Sequence, residues 1–208
     1  MSRLTVGSIE GLVENSNVIS VPTGHSLNVA DAGGLQIGGS AVVSAGLVFI
    51  SRTTIGSAVS SVTVSNAFSA DYDTYKIIIS GGAGSTNINL SVQMGSTTTG
   101  YYGGLIYQVY STAAIAGVGQ VNAANWTYAG QAGSLGLTMN ATIMQPYLEK
   151  ATSFMSLQPR LTPVSGAGTN SNYSGFLNDA TSYTSFTVGT DTGTLTGGTI
   201  DVYGYSKS

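Results

Sequence analysis

The chain has no cysteine, a single histidine and very little charge. Of its 208 residues, 7% are Asp, Glu, Lys or Arg, whereas about 25% is usual in a soluble domain. The absence of cysteine excludes disulfides, iron–sulfur clusters and thiolate zinc sites, and one histidine is too few for the usual zinc sites. Charged side chains ordinarily keep a protein surface hydrated and prevent the edges of its sheets from pairing with other molecules. We therefore expect this chain to cover its edges by packing into an assembly.

Clusters of cationic residues and long apolar runs are also missing. The 6 Lys and Arg residues are scattered between Arg3 and Lys207, and the formal net charge is -3. Nucleic-acid binding and polybasic membrane contact both need clustered cations, so we expect neither. No apolar run approaches the ~20 residues of a membrane span. The opening residues are too polar for the apolar core of a signal peptide, which predicts a chain made in a cytoplasm.

The abundant residues are typical of strands and turns. Hydrophobic residues make up 42% of the chain, which also contains 29 Gly and 12 Tyr. Residues 87–94 alternate between apolar and polar side chains, and residues 74–80 form a continuous apolar run that predicts burial on both faces. About eight such segments follow one another without amphipathic helices. The pattern predicts an all-β fold, an antiparallel β-sandwich of jelly-roll type.

The chain divides into two regions by the length of these segments. Residues 1–45 hold only short apolar pairs separated by turn signals, and strands this short are marginal alone in water. They predict an extended N-terminal β arm, either an attachment arm or a short trimeric stalk; the alternative is a disordered arm. Residues 46–208 predict the sandwich domain. Within it we expect residues 111–136 to be a long excursion with one short strand at 125–129, and 184–188 to pair with 199–205.

Residues with the right chemistry for catalysis or metal binding are sparse. His25 is the only candidate base for a Ser-His-Asp arrangement, and a turn histidine is the simpler interpretation. Asp71 and Asp73 carry oxygen ligands suitable for Ca²⁺, although Asp residues also cap turns before strands. Residues 81–85 are rich in glycine after a strand but lack the Lys of a phosphate loop, and a hairpin loop fits better. We predict no catalytic residue, metal site or cofactor.

Aromatic side chains give one hypothesis about binding. Tyr101, Tyr102, Trp126 and Tyr128 stand beside glycine-rich stretches, where we expect loops. Aromatic rings in loops bind sugars and partner proteins because they bury a large area at low entropic cost. We therefore predict contact of these residues with a host glycan or a neighbouring subunit. The alternative is that they belong to the sandwich core.

Three stretches of the sequence resemble a family. These are the opening 27 residues, the Phe-Ser-Ala-Asp-Tyr-Asp-Thr-Tyr-Lys-Ile run at 68–77, and the Gly-Gly-Thr-Ile-Asp-Val-Tyr-Gly-Tyr run at 197–205. Each resembles segments of tail-fibre-like and other virion-surface proteins of marine tailed bacteriophages. The resemblance implies a homotrimeric β-structured spike, fibre or capsid decoration. It also implies that the N-terminal arm attaches to other virion proteins, in the capsid or the tail, while the C-terminal domain faces outward.

These observations together predict a phage virion structural protein without enzymatic activity. We expect a trimeric fibre, spike or capsid-decorating protein that is made in the host cytoplasm, is exposed on the particle and touches the host surface. The first alternative is a carbohydrate-binding adhesin module outside a virion. The second is a polysaccharide depolymerase that uses Asp71 or Asp73.

Overall fold

The computed structural model describes residues 46–159 and 169–207, together with Thr23 and two short strands, β1 (Gln36–Ile37) and β2 (Ser40–Ala41). Its contacts divide the chain into one unit from Met1 to Val43 and a second from Ser44 to Ser208. In the first unit β1 and β2 pair in antiparallel fashion. The remaining predictions for the N-terminal arm, His25 among them, lie outside the described residues.

The second unit is built from strands. They are β3 (Leu47–Thr54), β4 (Ser61–Val64), β5 (Thr74–Ser80), β6 (Ala83–Gly84), β7 (Ile88–Met94), β8 (Tyr101–Val109), β9 (Ile115–Ala123), β10 (Trp126–Gly133), β11 (Gly136–Met144), β12 (Thr152–Pro159), β13 (Thr169–Leu177), β14 (Phe186–Thr190), β15 (Leu195–Thr196) and β16 (Thr199–Tyr205). Nowhere in the described ranges is there a helix long and apolar enough to cross a membrane.

Two antiparallel sheets contain most of these strands. The larger sheet has the order β3-β16-β5-β11-β12-β13-β8-β9, and the smaller has the order β4-β14-β7-β10. The β10–β11 hairpin joins them, because the first residues of β11 pair with β10 while the later ones pair with β5 and β12. The strand order confirms the prediction of an all-β antiparallel sandwich.

Eight of the strands are divided equally between the two sheets. They form the order β3-β16-β5-β11 in one sheet and β4-β14-β7-β10 in the other, which is compatible with a jelly roll. The remaining long strands are two hairpins, β8–β9 and β12–β13, which pair with each other through β8 and β13. These four strands continue the larger sheet beyond β11, and we call them the extension.

The core follows from side-chain alternation. In β7 every second residue, from Ile88 to Met94, is fully buried, as the pattern predicts, because successive side chains point to opposite faces of a strand. The inner face of the extension adds aromatic rings to this core. Phe154 stacks on Trp126 with ring centroids 4.7 Å apart, and Tyr101 meets Trp126 edge-on at 5.1 Å. The extension is therefore packed onto the sandwich and is part of its core.

Three predictions about connections are wrong. Residues 111–136 are not an excursion with one short strand but carry two long strands, β9 and β10. The strands near the end of the chain, β14 and β16, lie in different sheets and do not pair. The glycine-rich residues after β5 do not close a hairpin, since β6 pairs with β15 and β7 belongs to the smaller sheet. In each case the chain crosses between sheets where the sequence signals only a turn.

Candidate functional site

Tyr101 and Trp126, two of the four aromatic residues proposed as contacts, lie inside the protein. Each is wholly buried on a strand. The Tyr101 hydroxyl donates to the Thr97 carbonyl oxygen at 3.1 Å and accepts from the Met94 amide nitrogen at 2.7 Å, and burial raises the pKa of this phenol above its usual value. The expectation that these rings are offered by loops is wrong, because both rings belong to strands, β8 and β10, and lie on the side that faces the core.

Tyr102 lies on the opposite face of β8. Its ring stacks on Phe176 of β13, with centroids 5.2 Å apart and planes 12° apart. Both belong to the outer face of the extension, which points away from the sandwich. Tyr102 is thus placed where a partner could reach it, and its contact with one stays a prediction.

The other sequence candidates within the described residues have structural partners. Ser69 Oγ donates to Asp71 Oδ2 at 2.9 Å, and Lys207 Nζ forms an ion pair with Asp73 Oδ1 at 2.9 Å. Both aspartates lie in the turn before β5, as the turn interpretation expects. Among the described residues no group of three or more His, Cys, Asp or Glu side chains comes together.

The outer face of the extension carries a cluster of exposed apolar side chains. Ile106 is 65% exposed and Leu157 is 60% exposed, and Met155 and Phe176 are also exposed. The strand registers place them on one face: Ile106 and Leu157 flank Asn172 on its two neighbouring strands, and Phe176 opposes Tyr102. We call these five residues, Tyr102, Ile106, Met155, Leu157 and Phe176, the outer patch. Clusters of exposed apolar side chains often mark an interaction site in a soluble protein.

Two depressions shape this face. One, of ≈ 210 Å³, is lined by Met155 and Leu157 together with Lys76 of β5. The other, of ≈ 550 Å³, lies beside Met155 and Phe176 and has glycines in its floor, among them Gly104. A Cβ built on Gly104 would come no closer than 3.9 Å to any other group, so open space and not core packing surrounds this position. The face is therefore indented and can receive side chains from another molecule.

Charge on the outer face of the larger sheet is confined to a few positions. Lys76 stands beside the first depression, and partial burial lowers its pKa below the usual value. Farther along, Arg52 donates two hydrogen bonds to the Asp201 carboxylate, at 2.7 and 2.8 Å. The Arg52 side chain holds the pKa of Asp201 below its usual range. Because Arg52 and Asp201 neutralise each other, Lys76 is, among the described residues, the charge that a partner would meet next to the outer patch.

The edge of the extension is open as well. Strand β9 ends the larger sheet, and no strand in the described part of the chain pairs with its free side. Its nine residues include no charge and no proline, and Ile115 and Val121 are 74% and 79% exposed. Natural edge strands are usually short, charged or interrupted, because unpaired N–H and C=O groups attract another strand. β9 has one such interruption, an irregularity of its pairing with β8 between Gln120 and Ala123, but it is long and uncharged over its remaining residues.

Tyr128, the last of the proposed aromatic contacts, lines a cleft between the extension and the smaller sheet. The cleft has a volume of ≈ 210 Å³, and it is lined by Asn89, Leu105, Tyr107, Val118, Tyr128, Gln131 and Thr169. Its walls come from β8, β9 and β13 on one side and from β7 and β10 on the other. None of these lining side chains is charged. We call this site the Tyr107–Tyr128 cleft.

The outer patch and most of the cleft were not predicted from the sequence. Ile106, Met155 and Leu157 occur in apolar strands that read as core, and Gln131 and Thr169 are polar residues in a chain full of them. One signal was available in the sequence: it has more apolar strand residues than two packed sheet faces can bury. This excess indicates that some apolar surface stays uncovered, but it does not say where that surface lies.

A scan against protein-family models finds no match, and searches of curated proteins and of solved structures find no similar protein.

Proposed function

We propose that this protein is a structural component of the surface of a bacteriophage particle and that it works as an assembly of identical copies, a homotrimer. The observation that carries the proposed self-assembly is the exposed outer patch beside the uncharged edge strand β9. Its role is mechanical and adhesive: it decorates the capsid, or forms a fibre or spike on the tail. The assignment to a phage particle rests on the resemblance of three sequence stretches to segments of phage virion proteins.

A second copy of the chain is the partner that fits the outer face best. In the part of the chain that the structure describes, Lys76 is the one cation beside the outer patch, which offers little that would select a charged partner. In a trimer each copy contacts the next around a threefold axis, so the open edge of β9 in one copy can be covered by a different part of its neighbour. Burying the outer patch in the same contact removes apolar side chains from water. Self-association therefore covers both the outer patch and the edge of β9 with the surface of an identical chain.

Assembly can be tested by placing charge in the outer patch. Met155 and Leu157 point to solvent from the middle of the larger sheet, so Met155→Lys with Leu157→Lys leaves the core untouched. We expect the wild-type protein to sediment as a trimer and the double variant as a monomer. Because like charges would face each other across the contact, the dissociation constant should rise at least about a hundredfold.

The matched control is Leu135→Lys, an equally exposed apolar residue in the turn between β10 and β11. It should sediment like the wild type. Circular dichroism should show the same β-rich spectrum for all three proteins. A wild-type chain that is folded and monomeric across the micromolar range would contradict the proposed assembly.

Incorporation into particles can be tested by quantitative mass spectrometry of purified virions. We expect the protein in the particle fraction at a fixed ratio to the major capsid protein. A ratio near one indicates a capsid decoration, whereas a small ratio indicates a tail or vertex fibre. Detection only in the unassembled fraction of the lysate would contradict a virion role.

A further inference from the structure

The Tyr107–Tyr128 cleft has the amide of Gln131 in its lining. Gln131 is 5% exposed, and its Oε1 accepts a hydrogen bond from Thr169 Oγ1 at 3.3 Å. A glutamine amide can both donate and accept hydrogen bonds. A ligand with hydroxyl groups that enters the cleft can therefore pair with it.

Two tyrosines stand beside this amide. Tyr107 and Tyr128 are partly buried and pack against the core, and neither hydroxyl bonds to another described residue. A tyrosine combines an apolar ring with a polar tip. The cleft therefore offers ring surface, two phenol hydroxyls and an amide within one concavity of ≈ 210 Å³.

The walls of the cleft are held in place by other contacts. Gln158 Nε2 donates to the Tyr128 carbonyl oxygen at 2.6 Å, which ties β12 to β10. Gln120 of β9 accepts from the Tyr173 hydroxyl at 2.6 Å and donates to Thr127 Oγ1 at 2.8 Å. At the rim, Asn89 Nδ2 donates to Asp191 Oδ2 at 2.7 Å, which occupies that carboxylate oxygen. A site fixed in this way loses little conformational entropy when it binds.

From this chemistry we infer that the Tyr107–Tyr128 cleft binds a neutral sugar residue of a glycan. The C–H faces of a pyranose suit the tyrosine rings, and its hydroxyls both donate and accept, as the Gln131 amide and the phenols require. The uncharged lining gives no reason to select an acidic sugar. This site lies apart from the outer patch, so the inference goes beyond the proposed assembly and does not depend on it.

Saturation-transfer difference NMR on the full chain tests this inference. The probes are the methyl glycosides of glucose, galactose, mannose and N-acetylglucosamine, each at millimolar concentration, with methyl glucuronide as the acidic comparison. We expect transfer to at least one neutral glycoside and weaker transfer to the glucuronide. Two variants remove cleft groups, Tyr128→Ala for the ring and Gln131→Leu for the amide. Each should weaken binding about tenfold, the effect of losing one good polar or stacking contact.

The matched control is Tyr110→Ala, which removes an exposed tyrosine outside the cleft and should leave the signals unchanged. Methyl dispersion in the proton spectrum shows whether each variant is folded, and if Tyr128→Ala is not, Gln131→Leu decides. No transfer to any neutral glycoside overturns the inference. So does equal transfer in wild type and folded cleft variants, which places the binding elsewhere. Sedimentation of the same samples reports on assembly separately, so the two proposals fail independently.

Discussion

Replacing Trp126 with alanine should lower the free energy of unfolding by roughly 3 to 5 kcal/mol, the usual cost of removing a large buried aromatic ring. Trp126 is fully buried, stacked on Phe154 and in edge contact with Tyr101. These three rings come from β10, β12 and β8, so the indole joins the smaller sheet to the extension. A cavity at this point removes the contact that holds the extension against β10.

Thermal unfolding followed by circular dichroism measures this effect. In a domain of this size each kcal/mol shifts Tm by about 2 to 4 °C, so Trp126→Ala should melt roughly 6 to 20 °C below the wild type. The Tm of Trp126→Phe should lie between those of Trp126→Ala and the wild type, because phenylalanine keeps part of the ring volume. Tyr110→Ala, at an exposed position, should melt with the wild type. A Tm for Trp126→Ala equal to that of the wild type would contradict the placement of this indole in the core.

This result changes how Trp126 can be used in binding experiments. If Trp126 were a ligand contact on the surface, the Trp126→Ala variant would report on adsorption to a host or on particle assembly. In a core position the same change weakens the whole sandwich, so lost adsorption would carry no information about a glycan. The exposed and half-exposed tyrosines, Tyr102 in the outer patch and Tyr128 in the cleft, are the positions at which a loss of binding can be interpreted.

The strands were predictable where alternation decides them. In β7 the apolar residues occupy every second position and all are buried, as the two-residue period of a strand requires. β5 is a strand in the interior of the larger sheet, but the prediction that both of its faces are buried is wrong. Tyr75, Ile77 and Ile79 are buried, whereas Lys76 and Ile78 on the other face are only partly buried. The fold class required only this period and the lack of helical segments.

β9 was missed because its sequence has almost no alternation. Ile-Ala-Gly-Val-Gly-Gln-Val-Asn-Ala is small and uncharged, and most of its residues are exposed. Its strand conformation comes from pairing with β8 and from the Gln120 contacts to β10, which are contacts between strands that the intrinsic propensity of the β9 residues does not show. The same limit applies to β14 and β16, whose partners lie far away along the chain.

The candidate site was missed for a related reason. Alternation indicates which residues share one face of a strand, but not whether another layer covers that face. Met155 and Leu157 alternate with the buried Phe154 and Ser156, and only the position of β12 in the extension shows that they point outward. Gln131 is the opposite case, since nothing local distinguishes a buried amide in a cleft from any surface glutamine.

Replacing Gly82 with alanine should prevent the sandwich from closing. Gly82 has a φ of 62°, a left-handed conformation that costs any residue with a Cβ about 1 to 2 kcal/mol. A Cβ here would also overlap the Gly197 carbonyl oxygen and lie 2.7 Å from the Thr196 carbonyl oxygen. Both are backbone atoms next to β16, so they cannot move away as a side chain would. We expect strain and overlap together to cost about 4 kcal/mol or more, an exceptional value for one methyl group.

The matched control is Gly46→Ala, which separates the two causes. Gly46 has a φ of 95°, but a Cβ there meets nothing within 4 Å, so this variant suffers backbone strain without overlap. Calorimetry should find Gly46→Ala folded and slightly destabilised, and Gly82→Ala either much less stable or recovered only as unfolded chain. Equal stability of the two variants would show that the turns at Gly82 and Gly197 are not in contact. The chain leaves β5 through the turn at Gly82 and leaves β15 through the turn at Gly197, and after each turn it continues into a strand of another sheet. Close packing of the two turns therefore fixes how the two sheets meet.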